Sequence, residues 1–150
     1  MLVLGRYDGV DRHWISADRA AIVTRNGRVI RLYGIGADLR DTRDIERDPI
    51  AAQTFAFEGQ HRRSVDLDSP ITYGIPIESS FTTLRRETIT ILDRQHDTLV
   101  VAEQNAARVV RWSFTNEFWL DFDTGFVWRS VQHFAPEMAP VTIEVYKRDA

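Results

Sequence analysis

Apolar and polar side chains alternate with a period of two along most of the 150-residue chain. That period is typical of a β-strand, whose successive side chains face opposite sides of a sheet. One stretch departs from it, at residues 41–56, where a charged run and then an alanine-rich run predict a short helix that begins near Pro49. The pattern as a whole predicts an all-β protein built from hairpins, either an antiparallel β-barrel or a two-sheet β-sandwich, with at most one short helix.

A first hairpin is predicted around Asn26-Gly27, which joins residues 20–25 to residues 28–33. This dipeptide favours a two-residue type I′ turn, because both of its central residues need positive φ. The turn also predicts the register of the two strands: Arg25 opposite Arg28, Val23 opposite Ile30 and Ala21 opposite Leu32. One face of this hairpin is therefore expected to be apolar.

A second hairpin is predicted over residues 118–130, with Asp123-Thr124-Gly125 as its loop. A three-residue loop that ends in a left-handed glycine is a common way to close a hairpin. The predicted register pairs three residues on each strand: Phe122 with Phe126, Leu120 with Trp128 and Trp119 with Arg129. We expect the face that bears Leu120 and Trp128 to lie in the core, since cross-strand aromatic pairs bury large areas.

Weaker strand patterns fill the rest of the chain. They are predicted at residues 63–68, 71–77, 81–84, 87–92, 99–103, 108–114 and 141–146, with turns at 68–70, 93–98 and 105–107. The sequence shows no linker, repeat or low-complexity tract. We therefore expect a single β-rich domain that spans residues 1–150.

The charge balance and residue content exclude several classes of protein. Against 22 acidic residues the chain has 19 basic ones, a formal net charge of −3, so it lacks the surplus of cations that nucleic-acid binding requires. It contains no cysteine, which excludes disulfides, thiolate metal sites and a cysteine nucleophile. No apolar run approaches the roughly 18 residues of a membrane-spanning helix.

The sequence carries no signature of a metal site, a cofactor or a catalytic nucleophile. The four histidines are isolated from one another: His13, His61, His96 and His133. We expect His96 to be solvated, because it falls in a predicted turn. Two pairs of aspartates have the i, i+2 spacing that puts both carboxylates on one strand face: Asp66 with Asp68, and Asp121 with Asp123. The distance between two such carboxylates is within the range that glycosidases use. Acidic residues at strand ends are more commonly turn formers, so an enzyme that uses Asp66 or Asp121 is the alternative hypothesis.

The candidate binding surface is the second face of the late hairpin. Trp119 lies opposite Arg129 in the predicted register, and Asp121 is diagonal to the same arginine. An indole ring offers apolar surface to a sugar, while a guanidinium and a carboxylate bind its hydroxyls. These three residues are therefore predicted to bind a saccharide. The alternative is that Trp119 packs in the wall of a barrel.

Two long stretches resemble a known family. The late one comprises residues 116–121 (NEFWLD) and 124–132 (TGFVWRSVQ), followed by Pro136 and Pro140. The early one comprises residues 14–18 (WISAD) and 26–31 (NGRVIR), followed by Gly34, Gly36 and Asp38-Leu39. With these residues the sequence resembles the YjbF/GfcB family of group 4 capsule and exopolysaccharide lipoproteins, from about Leu2 to Lys147.

The resemblance implies a β-rich domain that faces the periplasm, is encoded with genes for polysaccharide production or export, and is tethered to the outer membrane through a lipidated cysteine. The sequence has neither a cysteine nor a signal peptide. We therefore expect an upstream segment that carries the signal peptide and the lipobox. Contact with the membrane is expected only through that N-terminal lipid anchor.

The expected function is that of a non-enzymatic accessory protein of the cell envelope, in capsule or exopolysaccharide biosynthesis or export. Its expected partners are a polysaccharide or polysaccharide-export proteins, and not nucleic acid. The resemblance supplies no catalytic residue, metal or cofactor. Two alternatives stay open: a glycan-processing enzyme that uses a carboxylate pair, and an assembly module that makes no contact with sugar.

Overall fold

The structure, a computed structural model, describes residues 2–68 and 70–147, which form one antiparallel sheet of eleven strands. Each strand pairs with the strand before it in the chain, so the sheet is a meander, and it curls into a half-barrel. In chain order the strands are β1 (Val3–Asp8), β2 (Asp11–Ile15), β3 (Ala21–Arg25), β4 (Arg28–Tyr33), β5 (Leu39–Arg43), β6 (Gln60–Asp68), β7 (Ile71–Ile91), β8 (Arg94–Ala107), β9 (Trp112–Asp121), β10 (Val127–Gln132) and β11 (Val141–Glu144).

The predicted all-β antiparallel class is confirmed, and the strands belong to one curled sheet rather than to two packed sheets. The helix predicted near Pro49 is wrong. Residues 46–52 form turns, in which the N–H of Ala52 donates to the carbonyl of Asp48 at 2.9 Å. These turns do not continue as a helix, because Gln53 and Phe55 have φ of 54° and 52°. Over residues 2–68 and 70–147, the helical content is a single 3₁₀ turn at Arg108–Val110.

The first hairpin forms at the predicted turn, but most of its register differs from the prediction. Asn26 and Gly27 both have positive φ, and Arg25 lies opposite Arg28 as expected. A bulge between Val23 and Thr24 then shifts the pairing. The predicted pairs Val23–Ile30 and Ala21–Leu32 are therefore wrong; the observed ones are Val23–Arg31, Ile22–Leu32 and Ala21–Tyr33.

Burial on both faces explains that difference. Ile22 and Leu32 belong to the main core. Val23 and Ile30 pack in a separate cluster with two residues from outside the strands, Ile45 and Ala51. Alternation between apolar and polar residues specifies a register only where one face is solvated. With both faces covered, the bulge costs no hydrophobic burial.

The second hairpin also contains a bulge, at Trp128. Trp119 lies opposite Arg129 as predicted, and Gly125 has a left-handed φ of 75°. The predicted pair Leu120–Trp128 is wrong, because Leu120 pairs with Val127. The predicted pair Phe122–Phe126 is also wrong: the ladder ends one residue earlier, where the N–H of Asp121 donates to the carbonyl of Phe126. Phe122 itself is exposed.

Both faces of β9 are covered by apolar side chains. Phe118 and Leu120 join a cluster with Ile50, Val101 and Val127. On the opposite face, Trp119 packs in a cluster with Ile89, Ile91, Val100 and Trp128. The bulge places Trp128 on the same side as Trp119, so the two indoles lie in one cluster.

β7 and β8 form one long hairpin where the sequence predicts several short strands. β7 has 21 residues and β8 has 14, and the turn between them is Leu92-Asp93, whose φ values are 46° and 62°. The turn predicted at 93–98 is found only at its first residue, Asp93, since residues 94–98 lie in β8. The turn predicted at 105–107 is wrong, because these residues lie in β8 too. The strand predicted at 108–114 begins only at Trp112, after the 3₁₀ turn. Polar residues misled the prediction here: residues 94–97 lie in the ladder near the turn, and Asn105 is buried with its side chain bonded to Glu103 and Arg63.

His96 does not lie in a solvated turn, as the sequence predicts. It pairs with Ile89 in the β7–β8 ladder, and its ring stacks on Trp128 with the centroids 3.8 Å apart. The reason is the position of the turn, Leu92-Asp93, which lies directly before Arg94, the first residue of β8.

Gln132 in β10 holds the curl of the sheet. Its side-chain Nε2 donates to the carbonyl of Gly27 at 2.8 Å, and its Oε1 accepts the N–H of Val29 at 3.0 Å. The side chain is buried, so these bonds satisfy polar groups that would otherwise be costly. One amide thus ties β10 to β4, 103 residues earlier in the chain.

Within the described residues, the structure contains no helix with the length and apolar character needed to cross a membrane.

Gly27→Ala is expected to destabilise the protein more than Gly9→Ala. Both glycines have positive φ, which costs a residue with a Cβ about 1–2 kcal/mol. A Cβ at Gly27 would also lie 2.5 Å from Cγ2 of Val127, whereas nothing lies within 4 Å of one at Gly9. Forcing Val127 aside adds about 1–3 kcal/mol. Urea unfolding of the two variants measures the difference, and equal losses of stability would contradict the close packing of the turn on β10.

Candidate functional site

A buried ionic network lies between the first half of the sheet and β8. Arg28 is 2% exposed, Asp48 6% and Glu103 0%. The Arg28 guanidinium donates from Nε to Asp48 Oδ2 at 2.9 Å and from Nη1 to Glu103 Oε1 at 2.9 Å. The arginine therefore bridges two carboxylates in a region from which water is almost excluded.

Three different parts of the fold bring these charges together. Arg28 is the first residue of β4, directly after the Asn26-Gly27 turn, and Glu103 lies in the middle of β8. Asp48 lies in the turns after β5, where its Oδ1 also accepts the N–H of Ile50 at 2.8 Å. The curl of the sheet and the fixed turn at Asp48 thus preorganise the network.

Arg63 in β6 extends the network toward the surface. Its Nη1 donates to Ser79 Oγ at 2.8 Å and to Asn105 Oδ1 at 3.1 Å, and lies 3.5 Å from Glu103 Oε2. Asn116 Nδ2 donates to Glu103 Oε1 at 2.9 Å. Glu103 is therefore surrounded by donors, as a buried carboxylate must be if its burial is not to be strongly destabilising.

The pKa directions show that the network is charged at neutral pH. Burial alone would raise the pKa of Glu103, but the positive charges of Arg28 and Arg63, with hydrogen bonds from Arg28 and Asn116, lower it to about 2. Burial likewise opposes the charged form of Arg28, and the adjacent Asp48 and Glu103 outweigh it, so its pKa is raised. Burial lowers the pKa of Arg63, an effect that Glu103 opposes and Arg28 reinforces.

A cavity of about 340 Å³ opens above this network; we call it the polar cavity. Its floor is formed by buried polar residues, its rim by exposed charged and amide side chains, and its wall by a histidine and a phenylalanine. The floor consists of Asp48, Arg63, Ser79 and Glu103. The rim consists of Asp44, Glu46, Arg47, Gln60 and Arg62, and the wall consists of His61 and Phe81.

The wall of the polar cavity combines an aromatic surface with an unpaired polar atom. Phe81 packs against Phe57 with ring centroids 5.2 Å apart and meets the His61 ring edge-on at 5.6 Å. Nε2 of His61 is buried and has no hydrogen-bond partner among the described residues. A buried nitrogen without a hydrogen-bond partner destabilises the folded state, and a hydroxyl or water that reaches it restores the missing hydrogen bond.

The three binding residues predicted from the sequence do not form one open surface. Trp119 is 7% exposed, and its Nε1 donates to Glu87 Oε2 at 3.1 Å. The Arg129 guanidinium lies 5.4 Å from the centroid of the Trp119 ring and donates to Glu144 Oε2 at 3.1 Å. Trp119 and Arg129 are thus neighbours, as predicted, but the indole is enclosed.

Asp121 is engaged at the hairpin end instead of pairing with Arg129. Its Oδ2 accepts Trp128 Nε1 at 3.0 Å, and its Oδ1 accepts the N–H groups of Asp123 and Thr124. Partial burial raises the pKa of Asp121, but these hydrogen bonds outweigh it and the pKa is lowered. Saccharide binding by Trp119, Asp121 and Arg129 stays a prediction.

No group of three histidine, aspartate or glutamate side chains in residues 2–68 and 70–147 has the arrangement of a metal site. Asp66, the other carboxylate considered for catalysis, is held by Arg43, whose Nη2 donates to Asp66 Oδ1 at 2.8 Å. That hydrogen bond lowers the pKa of Asp66, and a further bond from the N–H of Gly74 lowers it too.

The sequence analysis missed the polar cavity and the network beneath it. Glu103 closes the apolar run 99–102, and Ser79 alternates with Ile77 and Phe81. A charged residue at a core-facing position is a signal for a buried ion pair or a site. Which charges meet could not be derived, because Arg28 and Glu103 are 75 residues apart.

Comparison with known proteins gives a consistent result. The family described as "Group 4 capsule polysaccharide lipoprotein gfcB, YjbF" matches residues 1–146. The chain is similar to the lipoprotein GfcB of Escherichia coli K12, with 26% identity over 148 residues, which are 97% of this chain and 69% of GfcB.

The fold is shared with a solved structure as well. The crystal structure of the hypothetical lipoprotein YmcC from Escherichia coli K12 superposes with a TM-score of 0.88 at 24% identity. The match covers 99% of this chain and 77% of the YmcC chain. At this identity the likeness shows that the curled sheet is common to both.

Glu103→Gln is expected to cost about 3–5 kcal/mol of the free energy of unfolding, because it leaves Arg28 and Arg63 as buried cations with one carboxylate fewer. Glu144→Gln is the matched control, since Glu144 pairs with Arg129 at the surface and its loss should cost at most about 1 kcal/mol. Chemical unfolding at pH 7 measures both. Similar small losses in the two variants would show that the network does not stabilise the fold.

The same network predicts an acid-sensitive contribution to stability. The pKa of Glu103 is lowered from 4.5 to about 2, so its contribution is fully present above pH 4.5 and is lost as the pH falls through about 2. The free energy of unfolding should therefore fall more steeply over this window in the native protein than in Glu103→Gln. Unfolding titrations at stepped pH values test this, and parallel curves would refute it.

Proposed function

The chain belongs to the YjbF family of group 4 capsule polysaccharide lipoproteins, and we propose that it is a non-enzymatic accessory protein of capsule or exopolysaccharide export that binds glycan in the polar cavity. The proposed location is the periplasmic side of the cell envelope, at the outer membrane. The family description supports the capsule-associated role, and the geometry of the cavity supports the binding of glycan.

The observation that carries this proposal is the make-up of the polar cavity. Sugars present hydroxyls that both donate and accept hydrogen bonds, together with apolar C–H faces. The cavity offers donors on Arg62, Arg63 and Gln60, acceptors on Asp44 and Glu46, and an aromatic surface on Phe81. The volume of about 340 Å³ falls in the usual range for small-molecule sites.

The preorganised floor adds to this support. Arg63 lines the cavity, and the hydrogen bonds given above for its guanidinium all use Nη1. The side chain is held by Ser79, Asn105 and Glu103, and little rotamer freedom is left to lose on binding. A rigid donor of this kind favours the binding of a weakly interacting neutral group.

The carboxylates favour binding over catalysis. Every carboxyl group with a shifted pKa in the described part of the chain is shifted downward, including Glu103, Asp66 and Asp121. A glycosidase needs a general acid whose pKa is raised, so that it is protonated near neutral pH. A non-enzymatic role is therefore the better proposal than a glycan-processing enzyme.

An assembly role with an export protein is the second candidate, and a different feature favours it. An apolar groove lies between β1 and β11, lined by Leu2, Leu4, Trp14, Val141 and Ile143. In residues 2–68 and 70–147, β1 and β11 are the two ends of the sheet, and each pairs with one strand only. A free strand edge beside an apolar groove is the form of surface to which an extended segment of another protein adds.

Gln60→Ala and Arg62→Ala test the glycan proposal, because both side chains are exposed at the rim and carry no buried contact. Arg62→Ala should weaken binding of oligosaccharides from the cognate capsule about tenfold, as the loss of one hydrogen bond from a charged group does. The melting temperature should stay unchanged. Calorimetric titration measures the affinity.

Arg94→Ala is the matched control, since Arg94 is exposed and does not line the polar cavity. Equal affinities of native protein, Arg62→Ala and Arg94→Ala would contradict glycan binding in the polar cavity. Binding of an export protein that survives the rim variants and is lost on changing the apolar groove would favour the assembly role instead.

A further inference from the structure

We propose that the polar cavity selects an uncharged sugar unit over an acidic sugar or a phosphate group. This inference rests on the proposed function, because it assumes that the cavity binds glycan. It is carried by the charges that line the cavity, by the pairing of those charges with one another, and by the size of the space.

The lining carries charges of both signs in nearly equal number. Three arginines face four carboxylates: Arg47, Arg62 and Arg63 against Asp44, Glu46, Asp48 and Glu103. Arg28, paired with Asp48 and Glu103 beneath the floor, is the fourth cation, so these charges cancel. A site for phosphate or carboxylate normally concentrates cations around the ligand. An anionic ligand in this cavity would instead meet cations that are already matched by carboxylates.

The buried arginine of the lining, Arg63, is already paired. Arg63 lies 3.5 Å from Glu103 Oε2, and Glu103 is shared with Arg28. Placing a second anion beside Arg63 would put it within reach of the buried Glu103 carboxylate, where water cannot screen the repulsion. The floor therefore offers hydrogen bonds without offering a free positive charge.

A hydroxyl group suits this lining better than an anion does. It donates to Asp44 or Glu46 and accepts from Arg62, whereas a carboxylate or phosphate only accepts and leaves the acidic side of the rim unmatched. Sugar hydroxyls thus pair with both halves of the rim. The apolar face of the same ring can lie against Phe81.

The volume sets the length of the recognised unit. About 340 Å³ lies at the lower end of the range for small-molecule sites, so the cavity holds one or two sugar rings rather than a long stretch of polysaccharide. Recognition would thus be of a short repeat of the glycan or of its end.

Titration of the native protein with methyl glucoside, methyl galactoside and glucuronate, each up to about 10 mM, tests the inference. We expect a neutral glycoside to bind, with an affinity that changes less than about twofold between low and high salt, because no net charge is neutralised. We expect glucuronate to bind at least about fivefold more weakly than the better of the two glycosides, as one unfavourable charge contact predicts.

A charge-converting variant gives the sharper test. Asp44→Asn with Glu46→Lys leaves four cations facing two carboxylates, and asparagine tolerates the left-handed φ of 63° at position 44. Affinity for glucuronate should rise about fivefold or more, while affinity for the neutral glycoside changes less than about threefold. Asp8→Asn with Asp123→Lys is the matched control, because both residues are exposed and neither lines the cavity. It should change neither affinity.

The outcomes separate the two proposals. Glucuronate binding that is tighter than glycoside binding and is lost in Arg62→Ala would overturn the inference while leaving glycan binding in the polar cavity in place. An absence of binding by all three probes, together with no effect of Arg62→Ala on the affinity for the cognate oligosaccharides, would overturn both. Neutral binding that is insensitive to salt and lost in Arg62→Ala would support both.

Discussion

The contact between Arg28 and Glu103 is the constraint on which the arrangement of this protein depends. It joins the start of β4 to the middle of β8 in a region where both side chains are almost fully buried. Buried charges of this kind are tolerated only when each finds its partners, and here Asp48, Arg63, Asn105 and Asn116 supply them. Small displacements of the surrounding strands would leave one of these charges unpaired. The network therefore favours one curvature of the sheet over slightly flatter or tighter ones.

The polar cavity follows from the same constraint. Arg63 and Glu103 form part of the floor of the cavity, and apolar side chains packed against these charged groups would offer them no hydrogen bonds. The result is a recess whose floor is rigid and whose rim is free to vary. A protein that binds weakly interacting sugars gains from such a recess, because the polar groups are already oriented before the ligand arrives. Stability and recognition are thus provided by the same side chains.

Local chemistry was readable from the sequence, whereas long-range pairing was not. The Asn26-Gly27 turn, the left-handed Gly125 and the contact of Trp119 with Arg129 all depend on neighbouring residues, and all three are found. The bulges at Val23 and Trp128 escaped prediction, because both faces of those hairpins are covered and either register buries apolar side chains. The ionic network escaped it for a different reason. Charges at positions 28, 48, 63 and 103 become neighbours only through the curl of the sheet, which alternation along a single strand does not encode.

The bridge from Gln132 to the first hairpin has a consequence for the order in which the chain folds. Every strand of the meander pairs with its neighbour in sequence, so hairpins other than the one across residues 44–59 close over short loops at little entropic cost. The amide of Gln132 reaches Val29 across 103 residues, and Arg28 reaches Glu103 across 75. We therefore expect the hairpins to form early, with their charged groups still hydrated. The curling of the complete sheet, which brings Arg28 to Glu103, is expected to come last. Dehydration of the arginines is thus postponed until their carboxylates are in place.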